Sequence, residues 1–234
     1  MAHNLAPMPP PGLMVYRGFM AEQPETFLFK SRDLWSSKAS FSISRATPSG
    51  EVLAPFLDLK EGPRDNVVFR TLDGYEVMRI IRNRRSWSGK GAKYYGMRGE
   101  EEIWQLRLVR GLKGTSYGML GSQLSSQRFN IYLCNGHVFG GMFTYGLVLE
   151  LDIHDRAAYG WRVEVHNKVQ GQEKGILVEG NPVSTMSRFQ EWKHISRQDI
   201  VHVAPGMDIM IALGVAWIRA DKQEQDTQTV AALV

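Results

Sequence analysis

Near its C-terminal end the chain runs Met207-Asp208-Ile209-Met210-Ile211-Ala212-Leu213-Gly214-Val215-Ala216-Trp217-Ile218, twelve residues with a single charge. No period gives this run a polar side. Strands usually span 4–8 residues, so the length predicts a helix. Asp208 suits a helix N-terminus, and Arg219 and Lys222 suit the other end. A membrane-spanning helix needs about 20 residues, so this one is too short to cross a bilayer. A helix that is apolar all round must be surrounded on all sides. In a β-rich chain of this size, the place that does so is the inside of a barrel. The competing reading is a buried central strand.

Most of the remaining sequence alternates with a period near two, the signature of strands. Thr26–Phe29, Phe41 with Ile43, Val52–Leu59, Lys93–Met97, Ile103–Val109, Phe129–Leu133, Leu147–Leu151, Trp161–His166 and Gly175–Val178 all read this way. Val67–Arg82 reads as a hairpin about Asp73-Gly74, a pair suited to a type I′ turn. The expected fold class is all-β with one buried helix: a closed antiparallel β-barrel around a central, C-terminal hydrophobic helix.

At 234 residues, with 43% hydrophobic and 22% charged residues, the chain can bury a real core within one domain. The single cysteine, Cys134, allows no intrachain disulfide and favours a reducing, cytoplasmic setting. Residues 1–20 carry Pro7, Pro9, Pro10 and Pro11 with no long apolar run. They are expected to be a disordered arm rather than a signal peptide. Residues 21–222 are expected to form the domain, and 223–234 a flexible tail.

Three segments resemble the tubby C-terminal-like superfamily, in particular its LURP-one-related branch, which includes relatives of the phospholipid scramblases. The first is FLFKSR at Phe27–Arg32, followed by SFSISRATPSGEV at Ser40–Val52. The second is VVFRTLDGYEVMRIIRN at Val67–Asn83. The third is VAPGMDIMIALGVAWIRAD at Val203–Asp221. The glycine-rich stretches Gly111–Gly121 and Asn135–Gly146 lie outside these motifs. The resemblance implies a barrel of about twelve strands around the helix. It also implies a non-enzymatic binding or adaptor role, with phosphoinositide as a ligand.

The chain's basicity is local. Residues 1–117 hold 18 Lys/Arg and 12 Asp/Glu, whereas 118–234 hold 10 and 12. Between Arg79 and Arg98 lie Arg79, Arg82, Arg84, Arg85, Lys90, Lys93 and Arg98, with no acid and with Trp87, Tyr94 and Tyr95 interleaved. Arginine forks suit phosphate oxygens, and aromatic rings suit the headgroup interface. Arg79, Arg82, Arg84, Arg85, Lys90 and Lys93 are therefore the candidate anion- or lipid-binding residues, with anionic phospholipid headgroups as the expected partner. Read from the residues alone, a solvated basic loop outweighs lipid binding, a protein or nucleic-acid partner ranks below both, and nucleic acid is disfavoured. In the resemblance, Arg79 aligns with one member of a Lys-x-Arg pair, and Arg82 falls one position off. On a strand, Arg79 and Arg82 lie on opposite faces.

Gly114-Thr115-Ser116-Tyr117-Gly118 is a literal G-x-S-x-G, which makes Ser116 the alternative, serine-hydrolase reading. No amphipathic helix follows it, and nothing alternates strand with helix as that fold requires. Cys134 and His137 form a lone C-x-x-H without a second ligand pair, and the remaining histidines lack ligand spacing. Neither a metal nor another cofactor is expected.

Overall fold

The computed structural model describes residues 4–31, 40–62, 66–83, 93–109, 128–133, 163–170, 173–188 and 198–218. Twelve strands occupy most of them. They are β1 (Glu25–Ser31), β2 (Ser40–Ala46), β3 (Val52–Glu61), β4 (Asn66–Arg70), β5 (Glu76–Asn83) and β6 (Lys93–Arg98), followed by β7 (Glu101–Val109), β8 (Arg128–Leu133), β9 (Val163–Gln170), β10 (Glu173–Val178), β11 (Asn181–Arg188) and β12 (Gln198–Val203). One helix, α1 (209–218), follows β12. The fold is thus mostly β with one helix, as the periodicity indicates.

All the strand pairs are antiparallel, each strand bonding its sequence neighbours. β1 lies between β2 and β12, with Phe27 opposite both Arg45 and Val201. The pairing therefore runs in a ring and the sheet returns on itself as a closed barrel. The shortest ladder is β8 with β9, registered through Phe129↔Val165 and Asn130↔Glu164.

The interior is filled by alternate strand residues and by α1. Every residue of α1 is buried. A Cβ on Gly214 would lie 3.1 Å from Met78, 3.2 Å from Ile80 and 3.2 Å from Trp104, so this side of the helix rests on β5 and β7. Ala212, Val215 and Ala216 line a small gap with Ile176, Met186 and Val201, so another side faces β10, β11 and β12. The apolar run is uniform because strands meet it from both directions. Each large side chain so buried stabilises the fold by about 1.5–3 kcal/mol.

One glycine marks a close approach and another a turn. Gly96 pairs with Trp104, whose indole ring covers it. A Cβ on Gly96 would overlap that ring at 1.9 Å. Gly74 has φ +90°, but Asp73 does not share a positive φ, so the β4–β5 connection is not the expected type I′ turn. Instead, Gly74 N–H donates to Thr71 O (2.9 Å) and Thr71 N–H to Tyr75 O (2.9 Å). The Thr71 hydroxyl also accepts the Tyr75 N–H (3.0 Å). The register shift at Phe69/Arg70 accommodates this longer loop.

The described part of the proline-rich segment is not a disordered arm. Residues 4–21 form a strap across the end of the barrel where α1 begins. Leu13, Tyr16 and Ala21 are at most 2% exposed and Met8 is 7% exposed. Ala6 N–H donates to Pro182 O, Met8 N–H to Pro205 O, Leu13 N–H to Gly206 O and Ala21 N–H to Met207 O. Composition alone misleads here because the groove that orders the strap is supplied by residues some 180–200 positions away. Leu147–Leu151, Cys134 and the tail 223–234 lie outside the described residues.

Candidate functional site

The helix fixes the two ends of the barrel. It starts beside the strap, and Trp217 near its far end lies under the Arg82 guanidinium, 5.7 Å from ring centroid to carbon. β5 runs alongside α1 and ends at Asn83, directly opposite Lys93 at the start of β6. The connection carrying Arg84, Arg85 and Lys90 therefore leaves and re-enters the sheet at the end where α1 finishes. Those three residues lie outside the described set, as does Ser116.

The structure separates the cations that the sequence groups together. Met78, Ile80 and Arg82 share the interior face of β5, and Arg82 is only 9% exposed. Its guanidinium lies over an aromatic ring inside the barrel wall, a favourable contact. Arg79 is on the outer face. It pairs with Glu76 at 2.9 Å and Glu100 at 3.7 Å. The hydrogen bond to Glu76 raises its affinity for the proton further. Arg98 pairs with Glu101 at 2.9 Å. The acids that meet Arg79 and Arg98 thus stand just outside the acid-free window: Glu76 lies three residues before Arg79 on the same strand, and Glu100 and Glu101 lie where β6 turns into β7.

Lys93 has a neighbour that sequence reading did not group with it. In the ladder it is the partner of Asn83 on one side and Arg107 on the other. Arg107 is 14 residues away in sequence, so no local charge count includes it. The usable signal is strand register, which requires knowing where β6 turns into β7.

A heavily bonded ionisable group lies at the opposite end. Asp208 is fully buried. Its Oδ2 accepts the N–H groups of Val15 and Tyr16, both at 2.7 Å. Its Oδ1 accepts the Ile211 N–H at 3.0 Å, capping α1. Burial pushes the carboxyl up to about 7, against the opposing pull of backbone donors from Tyr16, Ile211, Val15 and Met210. Beside it the Tyr16 hydroxyl accepts the Trp104 indole N–H at 3.1 Å. Burial is also the main cause that raises the Tyr16 phenol. The sequence reading identified Asp208 as a helix N-terminal residue but not as the strap's anchor.

Other polar contacts join neighbouring strands. Thr26 and His202 share a 3.0 Å hydrogen bond between β1 and β12. Arg45 pairs with Glu25 at 2.7 Å and lies over the Phe56 ring at 4.9 Å. Among the described residues, no group of three or more His, Cys, Asp or Glu is placed to hold a metal ion.

No family model matches the chain, and no curated protein matches it. A solved X-ray structure of a protein from Arabidopsis thaliana shares the fold at a TM-score of 0.51. The match is 15% identical and covers 91% of this chain and 99% of the other. At that identity the likeness concerns the fold alone. No described helix is long and apolar enough to cross a membrane.

Proposed function

We propose that this chain is a non-enzymatic binding module of the tubby-like, LURP-one-related kind, a barrel wrapped around its hydrophobic helix, that associates reversibly with anionic membrane through one end. The observation that carries the reading is the connection from Asn83 to Lys93. It holds Arg84, Arg85 and Lys90 within a span whose two ends are register partners. Arg107 sits next to Lys93 in the ladder and adds to the same end. Arg79 and Arg98 contribute less than a charge count suggests, because each is matched by a glutamate.

Each Lys or Arg brought near an anionic surface adds roughly 1 kcal/mol, so Arg84, Arg85, Lys90 and Lys93 together supply roughly 4 kcal/mol. That is enough for reversible recruitment, and it is sensitive to salt. The four-residue charge reversal of these positions to Glu is expected to abolish cosedimentation with phosphoinositide-containing vesicles while leaving the melting temperature unchanged. Equal binding of the native chain to neutral and phosphoinositide vesicles would sink the reading.

A further inference from the structure

We propose that the strap is an exchangeable ligand: the barrel end at the start of α1 is a groove for a peptide, filled in cis by residues 4–21 of the chain itself. This concerns the opposite end from the basic connection and does not depend on the membrane reading.

The strap is held as peptide grooves hold their ligands, by main-chain hydrogen bonds with a few side-chain anchors, and it turns twice on the way, at Pro9–Gly12 and Tyr16–Phe19. Its backbone donors reach Pro182, Pro205, Gly206 and Met207 carbonyls at 2.7–2.9 Å. Two bonds run the other way, from the Gly206 N–H to Ala21 O and from the Ile209 N–H to Phe19 O, both at 2.7 Å. Met20 forms an antiparallel bridge with Asp208. Leu13 and Tyr16, three residues apart, are the deep anchors, and Tyr16 ends on the Trp104 indole. Gly12 allows the closest crossing, since a Cβ there would stand 2.6 Å from the Gly206 carbonyl oxygen.

The segment is also built to bind at low ordering cost. Pro7, Pro9, Pro10 and Pro11 fix backbone angles before binding, which reduces the entropy lost on docking. From Asn4 to Tyr16 it carries no Asp, Glu, Lys or Arg, so no side-chain charge is desolvated as it lies across the buried Asp208. Its connection to β1 is short and exposed, consisting of Glu22, Gln23 and Pro24. The strap is therefore joined to the barrel by a hinge rather than by a shared ladder. The ligand class is a proline-bearing, turn-containing peptide with a leucine and a tyrosine three residues apart and no charge up to that tyrosine.

The test uses the full chain with a specific protease site inserted in the 22–24 link and cut after folding. A fluorescent synthetic peptide of residues 4–21 is then added and its anisotropy followed. The labelled peptide should enter saturably, be displaced by unlabelled peptide, and bind at least tenfold more weakly as its Tyr16→Ala version. Failure of the labelled peptide to enter a fully cut chain, or loss of cooperative melting on cutting alone, would overturn the proposal. Amide hydrogen exchange on the uncut natural chain gives a second reading. The Ala6, Met8, Leu13, Val15 and Tyr16 amides should exchange together and faster than those of 209–218. Exchange of both groups only through global unfolding would make the strap an inseparable part of the core.

Discussion

Asp208 joins two parts of the chain that are 192 residues apart at Tyr16, using only backbone donors. Its folded affinity for the proton, near 7, exceeds that of an ordinary carboxyl near 3.8. The folded state therefore binds more protons than the unfolded state between those values. The stabilisation linked to the neutral carboxyl is fully present below about pH 4 and is lost as pH rises through 7. Asp208→Asn places an amide NH2 against the Val15 and Tyr16 donors and should cost about 1–3 kcal/mol at pH 5. Denaturant midpoints of both proteins across pH 5–8 should show that gap narrowing as pH rises. A widening gap would mean that the N–H donors, rather than burial, control the carboxyl's proton affinity. The sequence shows Asp208 as a helix cap because capping is local; its bonds to the strap depend on where residues 15 and 16 arrive.

At the scale of elements, α1 was the most legible part of the fold. Its lack of any polar side could be satisfied only by neighbours all round, and β5, β7, β10, β11 and β12 provide them. Ile211→Asp should leave no cooperative melting transition, because an unpaired charge in this position costs several kcal/mol. A variant that melts normally would mean that the helix is not enclosed. Alternating strands such as β2 and β7 were equally plain. β11 and β12 were not. Asn181–Arg188 is rich in polar residues, yet Ser184 and Thr185 are both buried. Gln198–Val203 is buried at five of its six positions, so no alternation remains to be seen. A strand covered on both faces loses the periodic signal by which strands are found.

For the whole molecule, ring pairing puts two different surfaces at opposite ends of one barrel. The Asn83–Lys93 connection is at the end where α1 finishes, and the strap is at the end where it starts. The exposed side chains Val52, Leu53, Leu72 and Tyr75, on the β2–β3 and β4–β5 hairpins, belong to the strap end. A membrane reached through the basic connection would thus leave the strap facing away from it. The local ion pairs give this geometry a control. Neutralising Arg79 and Arg98 as Arg79→Gln with Arg98→Gln should change vesicle binding less than twofold, measured by cosedimentation at low and physiological salt. A loss comparable to that of the Arg84, Arg85, Lys90 and Lys93 reversal would show that the glutamates do not offset those two arginines.

The sequence by itself determined the fold class, the helix and the locality of the positive charge, because each is a property of neighbouring residues. Periodicity and uncompensated apolar length survive without knowledge of what packs where. The tertiary structure alone decided which face of β5 turns inward, that Arg107 stands beside Lys93, and that a proline-rich segment is a strap. Those outcomes depend on strand register and on contacts across nearly the whole chain, where one residue of slip reverses a face and no local pattern carries the information.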